Sequence, residues 1–285
     1  MKLIRYGSFG AEKPGVLIDG KRYDTSAFLN DYNEEFFLSN GLERLKEYIK
    51  DDKTLKLIDN EIRWGSPVAR PSKIVCIGLN YKDHALETNA PIPNEPVIFM
   101  KSTSSLVGPN DEVIIPRNSY KTDWEVELAV VIGKYTSYVE EKDAMEAVAG
   151  YILHNDISER AFQLERNGTW DKGKGCNTFA PLGPFMATKD EISDPHHLRL
   201  WLKLNGKIVQ DSNTSNFIFK IPFLISYVSQ FMALLPGDVI STGTPHGVGM
   251  AMKPEPVYLK AGDKMELGID QLGISKQQVK AYGQD

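Results

Sequence analysis

The chain has 285 residues, of which 41% are hydrophobic and 25% are charged, and this composition is typical of globular proteins rather than disordered or fibrous ones. Its net charge of −5 gives no basic excess for non-specific nucleic-acid binding, and no apolar run approaches the ~20 residues of a membrane helix. Two cysteines are too few for a disulfide framework, and the first five residues lack the apolar core of a signal peptide, so we expect a reducing, cytoplasmic location.

The beginning of the chain, residues 1–66, is predicted to form a small N-terminal α+β domain. Residues 2–6 and 15–17 have the apolar character of short strands. Apolar residues at helical spacing predict one helix over residues 34–49. A stretch with two prolines follows at residues 67–72, and we expect it to link this unit to the rest of the chain.

The remaining residues, 73–285, are predicted to form a catalytic domain dominated by strands. Helical stretches are few, mainly residues 141–148 and 223–233. Because strands and helices do not alternate regularly, the sequence favours an α+β fold over a doubly wound sheet or a TIM barrel. Short apolar runs separated by Gly, Pro and Asn predict strands at residues 74–79, 97–100, 126–132, 151–157, 200–204, 238–242 and 264–269.

The most informative segment is the predicted strand that includes Glu125 and Glu127. Alternation along a strand places both side chains on one face, with their Cα atoms about 7 Å apart. Two anions at that spacing repel by about 2–3 kcal/mol at an effective dielectric of roughly 20, and burial adds a desolvation cost. A cation, raised pKa values or Arg/Lys partners would offset these costs, whereas an edge strand would leave both carboxylates in water beside lysines.

A third carboxylate, Asp156, ends another predicted strand. Three carboxylates that converge from two strands would form an all-oxygen site. Such a donor set selects hard cations such as Mg²⁺, Mn²⁺ or Ca²⁺ rather than zinc. Because three protein ligands leave half of an octahedral coordination sphere open, the pattern favours a metal that binds substrate over a purely structural one.

A histidine and a glutamate, His84 and Glu87, follow the predicted strand at residues 74–79. If residues 82–88 form a helical turn, these two side chains are at i and i+3 and can contact each other. A carboxylate beside an imidazole raises its basicity, as a general base that activates water requires. The alternative is an exposed histidine with a local ion pair. The proline-bearing residues 91–96 are predicted to form a loop that could cover a cleft.

Two further segments contain candidate ligand-binding groups. Lys172 and Lys174 lie among glycines, where either could stabilise an oxyanion or belong to an ordinary surface loop. Residues 241–249 are rich in glycine and hydroxyl groups but lack the Lys-Ser/Thr pair of a P-loop. We therefore do not expect a nucleotide phosphate there, although the hydroxyls and backbone amides could bind a carboxylate.

Together these segments resemble the fumarylacetoacetate hydrolase superfamily, from about residue 73 to residue 268. Each segment is weak alone, but their order and spacing identify the family. Residues 171–184 are most similar to the branch that contains 2,4-diketo-3-deoxy-L-fuconate hydrolases and proteins named ureidoglycolate lyase or hydroxyheptadienedioate isomerase. The matching segments are Gly78-Leu79-Asn80-Tyr81 with His84 and Glu87, Asp123-Trp124-Glu125-Val126-Glu127, His154-Asn155-Asp156-Ile157-Ser158, and Ser241-Thr242-Gly243-Thr244-Pro245 with Gly247-Val248-Gly249.

The resemblance implies a mixed β-sandwich roll, a homodimer and one Mg²⁺ or Mn²⁺ ion per chain. It implies a water-activating dyad of His84 and Glu87 that closes as a lid, and a lysine, Lys174, that stabilises developing negative charge. The implied metal ligands are Glu125, Glu127 and Asp156. The residues implied to bind and orient the substrate are Arg160, Gln163, Thr244 and Lys172, the last being a second candidate for the role of Lys174.

The implied activity is metal-dependent hydrolysis of a carbon–carbon bond in an acylpyruvate-type or 2,4-diketo (sugar) acid. The products would be a pyruvate-type or related 2-oxo or 2-hydroxy acid. A 2-hydroxyhepta-2,4-diene-1,7-dioate isomerase or an oxaloacetate decarboxylase could use the same residues, and a non-catalytic metal-stabilised protein is the alternative from another class. We expect a small 2-oxo acid as the partner, with neither nucleic acid nor membrane. Substrate choice is expected to depend on the lid and on a distal pocket near residues 167–170.

Overall fold

The computed structural model describes residues 1–51, 55–87 and 91–283, and strands outnumber helices among them. The α-helices are α1 (Glu34–Leu38), α2 (Gly41–Asp51), α3 (Lys82–Glu87), α4 (Arg160–Leu164), α5 (Asp171–Lys174) and α6 (Ile221–Ser229). Short 3-10 helices lie at Thr103–Ser105, Glu141–Ala147, Lys189–Glu191, Thr214–Asn216 and Gly249–Ala251. The strands are β1 (Lys2–Tyr6), β2 (Lys13–Ile18), β3 (Lys21–Asp24), β4 (Trp64–Gly65), β5 (Ile74–Gly78), β6 (Val97–Lys101), β7 (Leu106–Val107), β8 (Val113–Ile115), β9 (Thr122–Asp123), β10 (Val126–Ile132), β11 (Val148–Asn155), β12 (Ser158–Glu159), β13 (Ala180–Pro181), β14 (Met186–Thr188), β15 (Arg199–Leu204), β16 (Lys207–Asn213), β17 (Val239–Ser241), β18 (Lys264–Ile269) and β19 (Gly273–Ala281).

The larger layer of the fold is a mixed sheet of ten strands. Its order is β3-β2-β1-β14-β11-β10-β17-β5-β6, and β4 also pairs with β1. β10 lies inside this sheet, antiparallel to both β11 and β17. Every residue of β10 is buried, because alternate side chains enter two different hydrophobic cores on the two faces of the sheet. A carboxylate within this strand therefore needs specific partners.

A second sheet covers one face of the first. It has five strands in the order β16-β15-β18-β19-β8. Its inward residues, among them Leu202 and Leu267, share one core with Leu128 and Val130 of β10. The packing of two such sheets makes a sandwich. The predicted strand-dominated α+β fold is therefore confirmed. Of the helices that the structure describes, none combines the length and the apolar character needed to cross a membrane.

The prediction of a single helix over residues 34–49 is wrong. Two helices, α1 and α2, occupy this segment and are separated by Ser39 and Asn40. Asn40 has a left-handed φ of 57°. Gly41 approaches Phe36 so closely that a Cβ atom at this position would lie 2.3 Å from the ring. The Ser-Asn-Gly sequence is typical of a helix end, and it outweighs the continuous apolar spacing.

The N-terminal strands join the large sheet directly. β1 pairs antiparallel with β14, so that Leu3 lies opposite Met186. The sheet therefore continues from the first residues of the chain into the part that follows residue 72. The division into an N-terminal unit and a catalytic domain, with a linker at residues 67–72, stays a prediction.

The topology gathers several strand ends at one place. Antiparallel pairing puts Val126 opposite Asn155, so the beginning of β10 meets the end of β11. β17 ends at Ser241, opposite Ala129, and β5 runs parallel to β17. Because these ends lie side by side, the polar residues next to them converge at one edge of the sheet.

Candidate active site

Three buried carboxylates, Glu125, Glu127 and Asp156, meet at this edge. One oxygen from each lies within 4.8 Å of the oxygens of the other two. Glu125 directly precedes β10, Glu127 is the second residue of β10, and Asp156 directly follows β11. The backbone N–H of Asp156 donates to the carbonyl of Glu125 over 2.9 Å, which fixes the two segments together. The structure thus brings together the three side chains that the sequence singles out, and their role as metal ligands stays a prediction.

Buried cations surround these carboxylates. Lys101 Nζ lies 2.5 Å from Asp156 Oδ1. Lys174 Nζ lies 2.6 Å from Glu125 Oε2 and 2.8 Å from Asp156 Oδ2. Arg160 Nη2 lies 2.6 Å from Glu125 Oε1. Removing a charge from water costs several kcal/mol unless a partner compensates it, so these cations allow the carboxylates to be buried together.

The electrostatic balance differs from one carboxylate to the next. Burial raises the pKa of Asp156, but Lys101 and Lys174 outweigh this effect and hold the pKa below its usual range. Burial, followed by repulsion from Asp156 and Glu125, raises the pKa of Glu127 well above its usual value. Burial opposes the charge of Lys174, but the carboxylates of Asp156 and Glu125 outweigh it and raise the pKa to about 12. Burial and neighbouring anions therefore outweigh the nearby cations at Glu127, so an added positive charge would stabilise its ionised form.

The segment after β17 binds the protein's own carboxylates. The hydroxyl of Ser241 donates to Glu127 Oε2, and the N–H of Gly243 donates to the same oxygen over 3.1 Å. His154 Nδ1 lies 2.7 Å from Ser241 Oγ. Burial lowers the pKa of His154 to about 3, so a neutral imidazole donates to Ser241 and orients its hydroxyl. The sequence predicts that this segment can bind a carboxylate, and Glu127 is one that it binds.

Arg160 is held in place by its neighbours. Asp123 accepts hydrogen bonds from the N–H groups of Gly249 (2.7 Å) and Met250 (3.0 Å). The same carboxylate accepts from Arg160 Nε over 2.8 Å. Arg160 Nη1 donates to Gln163 Oε1 over 3.0 Å, which fixes the amide of Gln163 as well. A guanidinium with this many fixed acceptors has one orientation, so it can position other groups.

The two residues of the predicted dyad contact each other on α3, and their role in activating water stays a prediction. His84 Nδ1 and Glu87 Oε2 lie 3.2 Å apart, and the N–H of Gly247 donates to Glu87 Oε1 over 3.0 Å. The predicted i, i+3 contact is confirmed, whereas residue 88, the last of the predicted turn, lies outside the described residues. A carboxylate at Nδ1 favours the tautomer with its proton there, so that Nε2 is the nitrogen that can accept a proton. His84 lines the same cavity as Glu125.

The structure separates the two candidate lysines. Lys174 lines the cavity together with Gln163 and Thr244. Lys172 is exposed, and its Nζ donates to the carbonyl of Arg166 over 2.8 Å. Among the described residues that line the cavity, Lys172 is absent. The hydroxyl of Thr244 donates to the backbone of β10 over 3.0 Å, so this side chain is also held rigidly.

Lys101 is a member of the site that sequence reasoning missed. It is the last residue of β6, and its side chain is fully buried between Asp156 and the carbonyl of Ile157, which accepts from Nζ over 3.0 Å. One signal is present in the sequence: a lysine ends an otherwise apolar strand, Val-Ile-Phe-Met-Lys. A buried lysine requires an anionic partner, so this pattern marks Lys101 as a residue to examine but does not say which carboxylate it contacts.

The residues of the cluster fit a hard divalent cation. Glu125, Glu127 and Asp156 offer carboxylate oxygens, and the cluster contains neither histidine nor cysteine. This donor set matches Mg²⁺, Mn²⁺ or Ca²⁺, whereas zinc prefers nitrogen and sulfur ligands. The raised pKa of Glu127 is consistent with a site that is short of positive charge.

We expect Lys101→Met to lower the free energy of unfolding of the chelator-treated protein by about 3 kcal/mol, because a buried Asp156 loses one of its two lysine partners. Urea denaturation followed by circular dichroism measures this change. Lys276→Met is the matched control, since Lys276 pairs with Glu266 at 3.3 Å but is 69% exposed. It should change the stability by less than about 1 kcal/mol. Equal effects of the two substitutions would show that Lys101 has no special structural role.

Comparisons with known proteins show which hydrolases and isomerases the chain is similar to. A Burkholderia multivorans protein named "Putative hydrolase" is 52% identical over 282 residues, which cover 99% of both chains. The structure of maleylpyruvate hydrolase from Sphingobium sp. SYK-6, in complex with manganese(II) ion and pyruvate, has a TM-score of 0.81 at 29% identity and covers 99% of both chains. The 2-hydroxyhepta-2,4-diene-1,7-dioate isomerase of Mycobacterium marinum has a TM-score of 0.76 at 28% identity and covers both chains completely, at 100%.

The family match covers the part of the chain that contains the site. The model of the family described as "Fumarylacetoacetate (FAA) hydrolase C-terminal" matches residues 73–280. This range includes the acidic cluster, the dyad and the loop after β17. Its members among the similar structures are hydrolases and isomerases. The chain therefore belongs to the fumarylacetoacetate hydrolase family, as its sequence segments predict.

Proposed function

We propose that the protein is a hydrolase that depends on Mg²⁺ or Mn²⁺ and cleaves a carbon–carbon bond in acylpyruvate-type or 2,4-diketo acids. The products would be a carboxylic acid and pyruvate, or a related 2-oxo acid. One observation supports this above the others: a cavity of about 210 Å³ contains both the carboxylates Glu125 and Glu127 and the imidazole of His84. An all-oxygen cluster beside a His–Glu pair suits a substrate that binds through a carboxylate and is attacked by water.

In this proposal Glu125, Glu127 and Asp156 would hold the cation. A cation bound there would supply Lewis acidity toward the substrate. Arg160, Gln163 and Thr244 orient the substrate, and the fixed hydrogen bonds of all three keep them in place. Preorganised groups of this kind accelerate a reaction because they need not reorganise as charge develops.

The His84–Glu87 pair is proposed to act as the general base. His84 Nε2 takes a proton from water, and Glu87 stabilises the imidazolium that forms. The resulting hydroxide adds to the C4 carbonyl of a 2,4-diketo acid. The C3–C4 bond then breaks, its electron pair forms the enolate of pyruvate, and the imidazolium returns the proton to C3. One water is thus consumed, and one carboxylic acid and one pyruvate are formed.

Lys174 is proposed to stabilise the oxyanion at C4. It is fully charged at neutral pH, because neighbouring carboxylates raise its pKa to about 12. Among its contacts with the described residues, two of its three N–H groups are used by Glu125 and Asp156, which leaves the third for the substrate. The exposed position of Lys172 makes it the weaker candidate for this role.

An isomerase is the second candidate, because the similar Mycobacterium marinum structure is named 2-hydroxyhepta-2,4-diene-1,7-dioate isomerase. Proton transfer alone would need the metal cluster and one base, but no attacking water. A substrate panel separates the candidates. Purified protein with Mg²⁺ or Mn²⁺ is incubated with acylpyruvates, diketo-deoxy sugar acids, hydroxyheptadienedioate and oxaloacetate, and pyruvate and lactate release are measured. Isomerisation without cleavage of any diketo acid would reject the hydrolase.

We expect His84→Ala to impair hydrolysis by about 10²–10⁴-fold and decarboxylation of oxaloacetate much less, because only hydrolysis requires an activated water. The two reactions are measured on the same preparation, with acetylpyruvate and oxaloacetate as substrates. His197→Ala is a suitable control, since His197 also pairs with a nearby carboxylate, that of Asp194, but lies on the surface. Equal losses of both reactions in His84→Ala would argue against the proposed base.

A further inference from the structure

The polar and the apolar side chains that line the cavity differ in their exposure. The polar ones, among them Glu125, Gln163 and Lys174, are all buried. The more exposed lining side chains are all apolar, and they are Leu79, Leu164, Trp170 and Met250. A compound that binds the buried polar groups must therefore extend along these hydrophobic side chains toward the solvent, and we call this part the outer half of the cavity.

A row of contacts shows the direction of this outer half. Lys174 Nζ lies 4.8 Å from the centre of the Phe99 ring, and the Phe99 ring centre lies 5.3 Å from that of Trp170. Lys174 is 2% exposed, Phe99 is 8% exposed, and Trp170 is half-buried. A Cβ atom at position 78 would lie 2.7 Å from the indole, so Gly78 allows Trp170 to lie against β5. The distal part of a substrate would therefore lie against two aromatic rings.

The cations of the cavity are already paired with protein carboxylates, and the remaining N–H of Lys174 is the one proposed to stabilise the oxyanion at C4. Arg160 and Lys174 both contact Glu125, and His84 contacts Glu87. Apart from Arg160 and Lys174, the described residues that line the cavity include no lysine or arginine that could serve its outer, apolar half. A second carboxylate of a ligand would lose its water in this half without gaining a cationic partner, whereas a methyl group would gain from burial.

We propose that the distal substituent of the substrate is uncharged and apolar at its end, such as the alkyl end of an acyl group. Substrates with a second carboxylate would be rejected. This inference rests on the proposed function and narrows its substrate class. It also distinguishes the chain from the similar proteins named above, since maleylpyruvate and hydroxyheptadienedioate both have two carboxylates.

Two near-isosteric substrates test the inference directly. 4-Methylpentanoylpyruvate ends in an isopropyl group where succinylpyruvate ends in a carboxylate. We expect kcat/KM to be at least about 100-fold higher for the isopropyl compound, because an unpaired buried charge is so costly. In the series acetyl-, propionyl- and butyrylpyruvate, each added methylene that is buried should raise kcat/KM by about fourfold.

Acetylpyruvate distinguishes failure of the inference from failure of the proposed function. If acetylpyruvate is cleaved but succinylpyruvate reacts as fast as 4-methylpentanoylpyruvate, the inference about the distal substituent is wrong. The proposed hydrolase function is then still supported. If neither the acylpyruvates nor the diketo-deoxy sugar acids are cleaved, the proposed function is wrong. Binding then still tests the cavity. Because Trp170 lines it, 5-methyl-2-oxohexanoate with Mg²⁺ present should change the tryptophan fluorescence of the protein at a much lower concentration than 2-oxoglutarate does. Equal affinities would overturn the inference independently of turnover.

A cation added at the mouth of the cavity provides the matched variant. Leu164 is 48% exposed, so Leu164→Arg should fold and should place a guanidinium beside the distal group. We expect the ratio of kcat/KM for succinylpyruvate over 4-methylpentanoylpyruvate to rise at least tenfold. Leu38→Arg adds the same charge at a 60% exposed leucine of α1 and should leave the ratio unchanged. An unchanged ratio in Leu164→Arg would place the distal group elsewhere and reject the inference.

Discussion

Glu125→Gln is expected to weaken Mn²⁺ binding by at least about 100-fold and to abolish activity. Glu125 accepts hydrogen bonds from Arg160 and Lys174, each over 2.6 Å. Glutamine keeps the shape of the side chain but replaces one acceptor oxygen by an N–H donor and removes the negative charge. Loss of groups that merely orient metal ligands costs about 10–100-fold in affinity, so loss of a ligand should cost more. Isothermal titration of the chelator-treated protein with Mn²⁺ measures the change without relying on activity.

The control for this experiment is a glutamate of the surface. Glu266 pairs with Lys203 and Lys276, each at 3.3 Å, and Glu266→Gln should leave both Mn²⁺ affinity and activity unchanged. Because the substitution leaves Arg160 and Lys174 with fewer acceptors, circular dichroism is needed to check that Glu125→Gln is folded. A folded Glu125→Gln protein with wild-type affinity for Mn²⁺, or full wild-type activity in metal-free buffer, would contradict the proposed metal site.

Much of the site could be predicted because its parts are close in sequence. The pleat of a strand alone decides that Glu125 and Glu127 share a face. The helical repeat alone decides that His84 and Glu87 can meet. In the structure, carboxylate oxygens of Glu125 and Glu127 lie within 4.8 Å of each other. His84 Nδ1 lies 3.2 Å from Glu87 Oε2. Neither rule requires any knowledge of how the strands are ordered.

Lys101 shows why the rest could not be predicted in the same way. Its strand, β6, ends the order of the large sheet and lies four positions from β11, which precedes Asp156. In a flat sheet the two strands would be about 19 Å apart, far beyond the reach of a lysine. Lys101 Nζ nevertheless contacts Asp156 at 2.5 Å, so the sheet must curl to bring its distant strands together. Curling is a property of the whole sheet, and no local sequence pattern encodes it.

The second large effect is expected for Lys174→Met, which should lower kcat by about 10²–10³-fold, the loss that follows removal of one oxyanion donor. Methionine has a similar length and no charge, so the cavity wall against Phe99 is kept while the ammonium group is removed. KM should change much less than kcat, because the oxyanion exists only after water has attacked. Steady-state kinetics with acetylpyruvate at saturating Mg²⁺ separates the two constants.

Lys172→Met is the matched control for this substitution, because it removes the same group two residues earlier on α5. Lys172 contacts the carbonyl of Arg166 at the surface, so its loss should leave kcat close to the wild-type value. A normal kcat in Lys174→Met together with a large loss in Lys172→Met would transfer the role to Lys172. A KM effect without a kcat effect in Lys174→Met would instead show that the lysine binds the ground state, since uniform binding does not accelerate the chemical step.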